Sequence, residues 1–199
     1  MRDVCGMQKN SMYKVAASLA VQAMLFAPIL AQSMNMDVTK SSLRWEAGKV
    51  VGDPHYGAIQ LIEGVLEVSN NEIASGSFTI DMTTITNEDL GAEYGGKLIG
   101  HLNSDDFFST SSHPQAQLVL LGSTPFEKGK ATVQAELTIK GHAESIEFEV
   151  VRKKNAFDAT LNVDRSKFDV RYGSPSFFND LGDKAIKDVF TLAVHLEIQ

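Results

Sequence analysis

Strict alternation of apolar and polar residues at period two constrains this chain more than any other feature. In "ATVQAELTIK", Ala131, Val133, Ala135, Leu137 and Ile139 alternate with Thr132, Gln134, Glu136, Thr138 and Lys140. Successive side chains of an extended backbone point to opposite faces, so the segment is a strand with one apolar and one wet face. "ASGSFTIDM" repeats the pattern, with Ala74, Gly76, Phe78, Ile80 and Met82 on the apolar side. "VFTLAVHLEI" does so too, with Phe190, Leu192, Val194, Leu196 and Ile198 opposite Thr191, His195 and Glu197. Weaker strands fit Leu43 to Ala47, Gly57 to Val68, Ala116 to Leu121, Ile146 to Val151 and Ala156 to Arg165, which makes eight.

Turn residues fall between these segments, at Asn70-Asn71, Glu127 to Gly129, Gly141-His142 and Lys154-Asn155. Short connections force antiparallel neighbours. Eight antiparallel strands with one apolar face close best into a barrel or a two-sheet sandwich. An eight-stranded barrel is just wide enough to be filled by side chains or to hold one small ligand. The inward half of each alternation is Ala, Val, Leu, Ile and Phe, so a polar substrate is not expected inside.

One segment breaks the strand pattern. Between the third and fourth strands, Leu90, Tyr94, Leu98 and Leu102 recur every four residues, after Thr86 as a candidate N-cap and Glu88 and Asp89 in the first turn. The spacing predicts a helix from Glu88 to Asn103. It contains Gly91, Gly95, Gly96 and Gly100, each costing ~1 kcal/mol relative to alanine, so packing must hold it. Such a helix fits a lid over a barrel mouth, or an element that glycine lets lie close to the sheet. A further short helical turn is expected before the last strand.

The N-terminus has a different character. Arg2, Lys9 and Lys14 precede the apolar run "VAASLAVQAMLFAPILA", and Ala31 and Ser33 form a processing-type pattern. The run is at the short limit for spanning ~30 Å of hydrocarbon. Residues 1–33 are therefore read as a cleaved export signal and 34–199 as one domain, placing the product in the periplasm with no membrane span. Met1 and Met12 are both compatible starts. The only cysteine, Cys5, lies in the signal, so the mature domain needs no disulfide. Removing residues 1–33 leaves 15 basic against 24 acidic side chains, a net charge of −9. That surface repels phosphate backbones, and no nucleic-acid partner is expected.

Catalytic and metal-binding patterns are weak. His55, His101, His113, His142 and His195 show no short ligand spacing of the H-E-x-x-H type, and the best metal candidate is His101, Asp105, Asp106 and His113 in one loop. There is no G-x-S-x-G elbow and no mature thiol, so no catalytic residue is assigned and an enzyme is not expected. In "SDDFF", Ser104 and the aspartates are read as ending the helix and turning the chain, with Phe107 and Phe108 plugging one end of the barrel. In "VDRSKF", Arg165 shares the inward parity of Val163. A buried guanidinium needs a carboxylate such as Asp81, or a ligand head group.

Five stretches in order, "WEAGKVVGDPHYGAI", "GSFTIDMTTI", "KLIGHLNSDDFF" followed by Pro114, "AELTIKG", and "VDRSKFDVRYG" with "IKDVFTLAVHL", resemble the YceI-like proteins over roughly Asp37 to Ile198. Two positions depart from the family's habit: Pro54 before His55, and Asp169 where glycine is common. The resemblance implies an all-β, lipocalin-like barrel that is exported and takes an isoprenoid or similar lipid tail, with no signature catalytic residues. The wall is expected to include Trp45, Phe78, Ile80, Leu137, Phe148 and Leu192, with Leu98, Leu102 and Phe107 near the mouth and Arg165 at the barrel end. No cofactor is expected beyond a bound isoprenoid or quinone-type lipid. The competing readings are another amphiphile such as a fatty acid, a lipid-modifying enzyme, and a filled barrel acting through its surface. Oligomeric state stays open, a dimer included.

Overall fold

The computed structural model describes residues 31–199. The expected signal lies, up to residue 30, outside the described residues. Among the described residues there are nine strands, β1 Gln32–Asn35, β2 Ser42–Ala47, β3 His55–Ser69, β4 Glu72–Asp81, β5 Gln115–Ser123, β6 Lys130–Ile139, β7 His142–Arg152, β8 Ala156–Asp164 and β9 Val189–Glu197, and one α-helix, α1, at Ala92–Asn103. All pairings are antiparallel. From β3 the order runs β2, β9, β8, β7, β6, β5, β4 and back to β3, a closed ring of eight.

The ninth strand is a broken piece of the first. β1 and β2 both pair along the same side of β3, β1 against Val65 to Val68 and β2 against His55 to Ile59. A turn separates them, in which Asp37 accepts from the Thr39 amide and hydroxyl, and the Lys40 and Ser41 amides donate to its carbonyl. The expected boundary at residue 33 falls inside β1, where Gln32 and Ser33 pair with Val68 and Glu67.

Three hairpins close through two-residue turns with both central residues at positive φ: Asn70-Asn71 (51° and 62°), Lys128-Gly129 (50° and 82°) and Lys140-Gly141 (53° and 78°). Such turns match the right-handed twist of the strands they join. The third lies one residue earlier than the sequence predicts. Parity also slips in β4. A register irregularity opposite Glu67 and Val68 turns Ile73 into the core at 2% exposure and Ala74 outward, the reverse of strict alternation.

The helix begins four residues later than expected, with Gly91 as its N-cap and no side-chain cap. Thr86, Glu88 and Asp89 have other work, because β4 ends at Asp81 and leaves the first half of β3 with an unpaired edge. The Thr86 amide donates to the Ala58 carbonyl and the Glu88 amide to that of Tyr56, while the Thr84 and Thr86 hydroxyls accept from the Gln60 and Ala58 amides. Polar side chains that can satisfy a free strand edge outcompete helix extension. Tyr94 is 66% exposed rather than part of an apolar stripe; Leu102 is buried and Leu98 half-buried. A 3-10 turn at Gly182–Lys184 precedes β9, where a short helical turn is expected.

Gly57 shows how tightly this covering segment lies. A Cβ there would sit 1.9 Å from the Thr86 carbonyl oxygen, and the same oxygen accepts from Trp45 Nε1 at 3.0 Å. The "WEAGKVVGDPHYGAI" stretch thus supplies both the anchor and the bare backbone on which the segment lies.

Candidate functional site

A cavity of about 160 Å³ runs inside the barrel. Its wall contains no Ser, Thr, Cys, His, Tyr or Glu. Trp45 of β2, Phe78 and Ile80 of β4, Leu137 of β6, Phe148 of β7 and Leu192 of β9 face it, as do Leu102 from α1 and Phe107 from the following loop. Leu98 packs against the core without reaching the cavity, because it lies one turn earlier on a helix whose last turn approaches the barrel. Val194, on the apolar face of the last strand by parity, also faces the cavity, as does Ala159, which the expected wall does not include.

Both ends are capped by buried side chains. At the helix end, Met82, Ile85, Leu102 and Phe107 are each at most 9% exposed, and Phe168 and Val170 are at 1% and 0%. At the other end, Met36, Leu66, Ile73, Phe126 and Phe157 close the barrel. The Arg152 guanidinium stacks 4.2 Å from the Phe126 ring centroid and donates to Asn71 Oδ1.

"SDDFF" is the corner that brings Phe107 to the barrel. Ser104 Oγ donates to the His101 carbonyl at 2.7 Å, and the Phe107 amide donates to the Ser104 carbonyl, so the chain reverses within one turn. Asp105 accepts from the Ser109 hydroxyl. The His101 ring sits edge-on to Tyr172 at 4.4 Å and Phe107 at 5.7 Å. Among the described residues no group of three or more His, Cys, Asp or Glu side chains is arranged to hold a metal ion. No helix among them is long and apolar enough to cross a membrane.

Arg165 is 2% exposed and its guanidinium borders the cavity. Nε donates to the Lys187 carbonyl at 3.1 Å, Nη1 to that of Val170 at 2.8 Å and Nη2 to that of Ile186 at 3.1 Å. Asp188 Oδ1 lies 3.5 Å from Nη2, and the Phe107 ring is stacked 5.3 Å from the guanidinium carbon. Burial pushes the Arg165 pKa down, and the Asp188 and Asp164 carboxylates offset this only in part. The expected partner Asp81 is elsewhere, capping the 3-10 turn at Met82–Thr84 through the Thr83 amide and hydroxyl. Arg165 is therefore a latch between the turn after β8 and the segment before β9, with most of its hydrogens already used by the protein.

Two rim details concern charge. Partial burial works against ionisation of Asp89, but hydrogen bonds from His55, the Tyr56 amide and Asn87 hold its pKa down at about 2. Asp169 adopts the left-handed conformation (φ 56°) after the 3-10 turn at Arg165–Phe168, and its carboxylate accepts from Arg171 Nε. Aspartate is among the few non-glycine residues that tolerate this geometry.

Comparison with known proteins places this architecture. The YceI-like domain model matches residues 34–198. Among solved structures, BcnA of Burkholderia cenocepacia is 27% identical with a TM-score of 0.65, over 81% of this chain and 98% of that one. A polyisoprenoid binding domain from Saccharophagus degradans, implicated in plant cell wall breakdown, is 14% identical with a TM-score of 0.57, over 85% and 99%. A mutant YCEI protein of Campylobacter jejuni with a monobromobimane guest is 13% identical with a TM-score of 0.53, over 97% and 99%. Comparison with the curated proteins finds no match. With the family model spanning the entire barrel, this chain belongs to the YceI-like family.

Proposed function

We propose that this protein binds a long-chain isoprenoid, a quinone or a similar amphiphilic lipid by its tail inside the barrel, and carries or sequesters it in the periplasm. The observation that carries the reading is the interior cavity, walled by hydrocarbon apart from Asp158, Arg165 and the exposed Lys187. A polar substrate placed there would lose its hydrogen bonds to water at a cost of roughly 2–7 kcal/mol per group. Hydrocarbon gains ~0.8 kcal/mol per buried CH2, so each isoprene unit contributes roughly 3–4 kcal/mol before ordering costs. The likeness to a polyisoprenoid binding domain agrees with this chemistry. The periplasmic location rests on the expected export signal in residues 1–33.

The wall holds no hydroxyl, thiol or imidazole, and its one carboxylate, Asp158, is engaged with His195 and Lys153. This favours binding over catalysis. The cavity volume is close to that of an engineered ~150 Å³ protein cavity that takes benzene, which corresponds to about one isoprene unit. A longer tail needs the half-buried wall residues Phe148, Leu192 and Val194 to move aside, or must continue beyond the cavity. Native mass spectrometry and lipid extraction of protein purified from its own host test the proposal. A co-purifying isoprenoid-class lipid is the expected result; an empty protein that turns over lipid esters would sink it.

A further inference from the structure

The barrel wall has one weak line. β7 pairs with β6 over ten rungs, from Lys130↔Val151 to Ile139↔His142, and β8 pairs with β9 over nine. Between β7 and β8 the ladder holds three rungs only, Val150↔Ala159, Val151↔Asp158 and Arg152↔Phe157. In the same register the next rungs would join Glu149 to Thr160, Phe148 to Leu161 and Glu147 to Asn162, and none of them forms. No side-chain hydrogen bond or ion pair bridges these positions either: Glu147 accepts from Gln134 and Glu149 pairs with Lys130, both away from β8.

We infer that the lipid tail enters and leaves the barrel sideways, through this seam between β7 and β8. The inference rests on the lipid reading above. The inner bank of the seam is apolar, with Phe148 on one side and Leu161 on the other, and both side chains line the cavity. Phe148 is only half-buried where inward residues of β6 such as Val133 and Ala135 are at 0% and 1%. The alternatives are costlier. Passage through the helix end must displace Phe107, Phe168 and Val170 and disturb the Arg165 latch, whose breaking leaves buried partners unsatisfied. Passage through the opposite end must displace Phe126 and Phe157, and any other wall seam must break ladder hydrogen bonds. Widening β7 from β8 beyond Val150 breaks none, and needs only side-chain rotation and strand bending. The seam also gives a tail longer than the cavity a place to continue.

The test uses the full chain with Cys5→Ser, so that two introduced thiols are the only ones, and the single tryptophan Trp45 as reporter on the cavity wall. Glu147→Cys with Asn162→Cys is closed across the seam by oxidation or by a short thiol-reactive linker, and farnesol association is followed by stopped-flow Trp45 fluorescence. If the first pair does not close, Glu149→Cys with Thr160→Cys, two rungs nearer the formed ladder, gives the same readout. The expected result is an association rate at least tenfold slower in the linked form, recovered on reduction of the disulfide. An unchanged rate in a linked protein that still binds saturably would overturn the seam while leaving the lipid reading standing. Absence of saturable binding in the unlinked parent would remove the lipid reading itself.

Discussion

Ala159 gives the sharpest perturbation of the proposed tail site. It is half-buried because it faces the cavity, and its backbone is already fixed between Val150 of β7 and Val194 of β9. Ala159→Phe adds six ring carbons inside a volume of about 160 Å³, enough to occupy the space of about one isoprene unit. Losing four to five buried carbons at ~0.8 kcal/mol each costs a tail about 3–4 kcal/mol, or roughly 100- to 1,000-fold in Kd. The fold should not suffer, because the ring covers apolar wall that the cavity leaves without contacts, and Tm should hold or rise. The assay is a Trp45 fluorescence titration with farnesol, paired with thermal melts of both proteins. A folded Ala159→Phe protein that binds farnesol as tightly as the parent would refute the placement of the tail in this cavity.

Three further outcomes follow from the same structure. Gly57→Ala puts a methyl 1.9 Å from the Thr86 carbonyl oxygen, so it should cost about 3 kcal/mol or prevent folding, measured by chemical denaturation. Arg165→Met strands three carbonyls and Asp188 in a buried site and should cost about 3–5 kcal/mol by the same measurement, whatever the ligand. Asp89 is held at about 2 in the folded protein against an ordinary 3.8, so its contribution is complete above that ordinary value and is lost as pH falls through about 2. Asp89→Asn should flatten the acid limb of the Tm against pH curve over that window, and an unaltered limb would count against the docking role of the carboxylate.

Much of the barrel was legible because half-buried strands write their alternation into the sequence, as β6 does without a break. Parity failed in β4, where the irregularity that turns Ile73 inward leaves no compositional mark. The helix start is not legible because Thr86, Glu88 and Asp89 look like capping residues while they serve an edge of β3 about thirty residues away in the chain. Trp45, Phe78, Ile80 and Phe148 could be placed on the cavity wall from parity alone, since the ring closure puts every inward side chain on one interior. Asp188 as the carboxylate beside Arg165 was not legible, because the pairing joins two irregular segments. The missing rungs between β7 and β8 were hidden for a related reason. Both strands keep their alternation toward their other neighbours, and only the register shows that they part from each other.

The central claim is that apolar burial inside the barrel drives binding, and chain length tests it most directly. Equilibrium titrations of Trp45 fluorescence with geraniol, farnesol and geranylgeraniol separate tail from head group, because the three share a hydroxyl and differ by one isoprene unit at each step. The account predicts saturable binding that tightens from geraniol to farnesol, as Phe148, Leu192 and Val194 move aside for the longer tail, and levels off once the widened cavity is full. No saturable change with any of the three, or equal affinity for all of them, would contradict it.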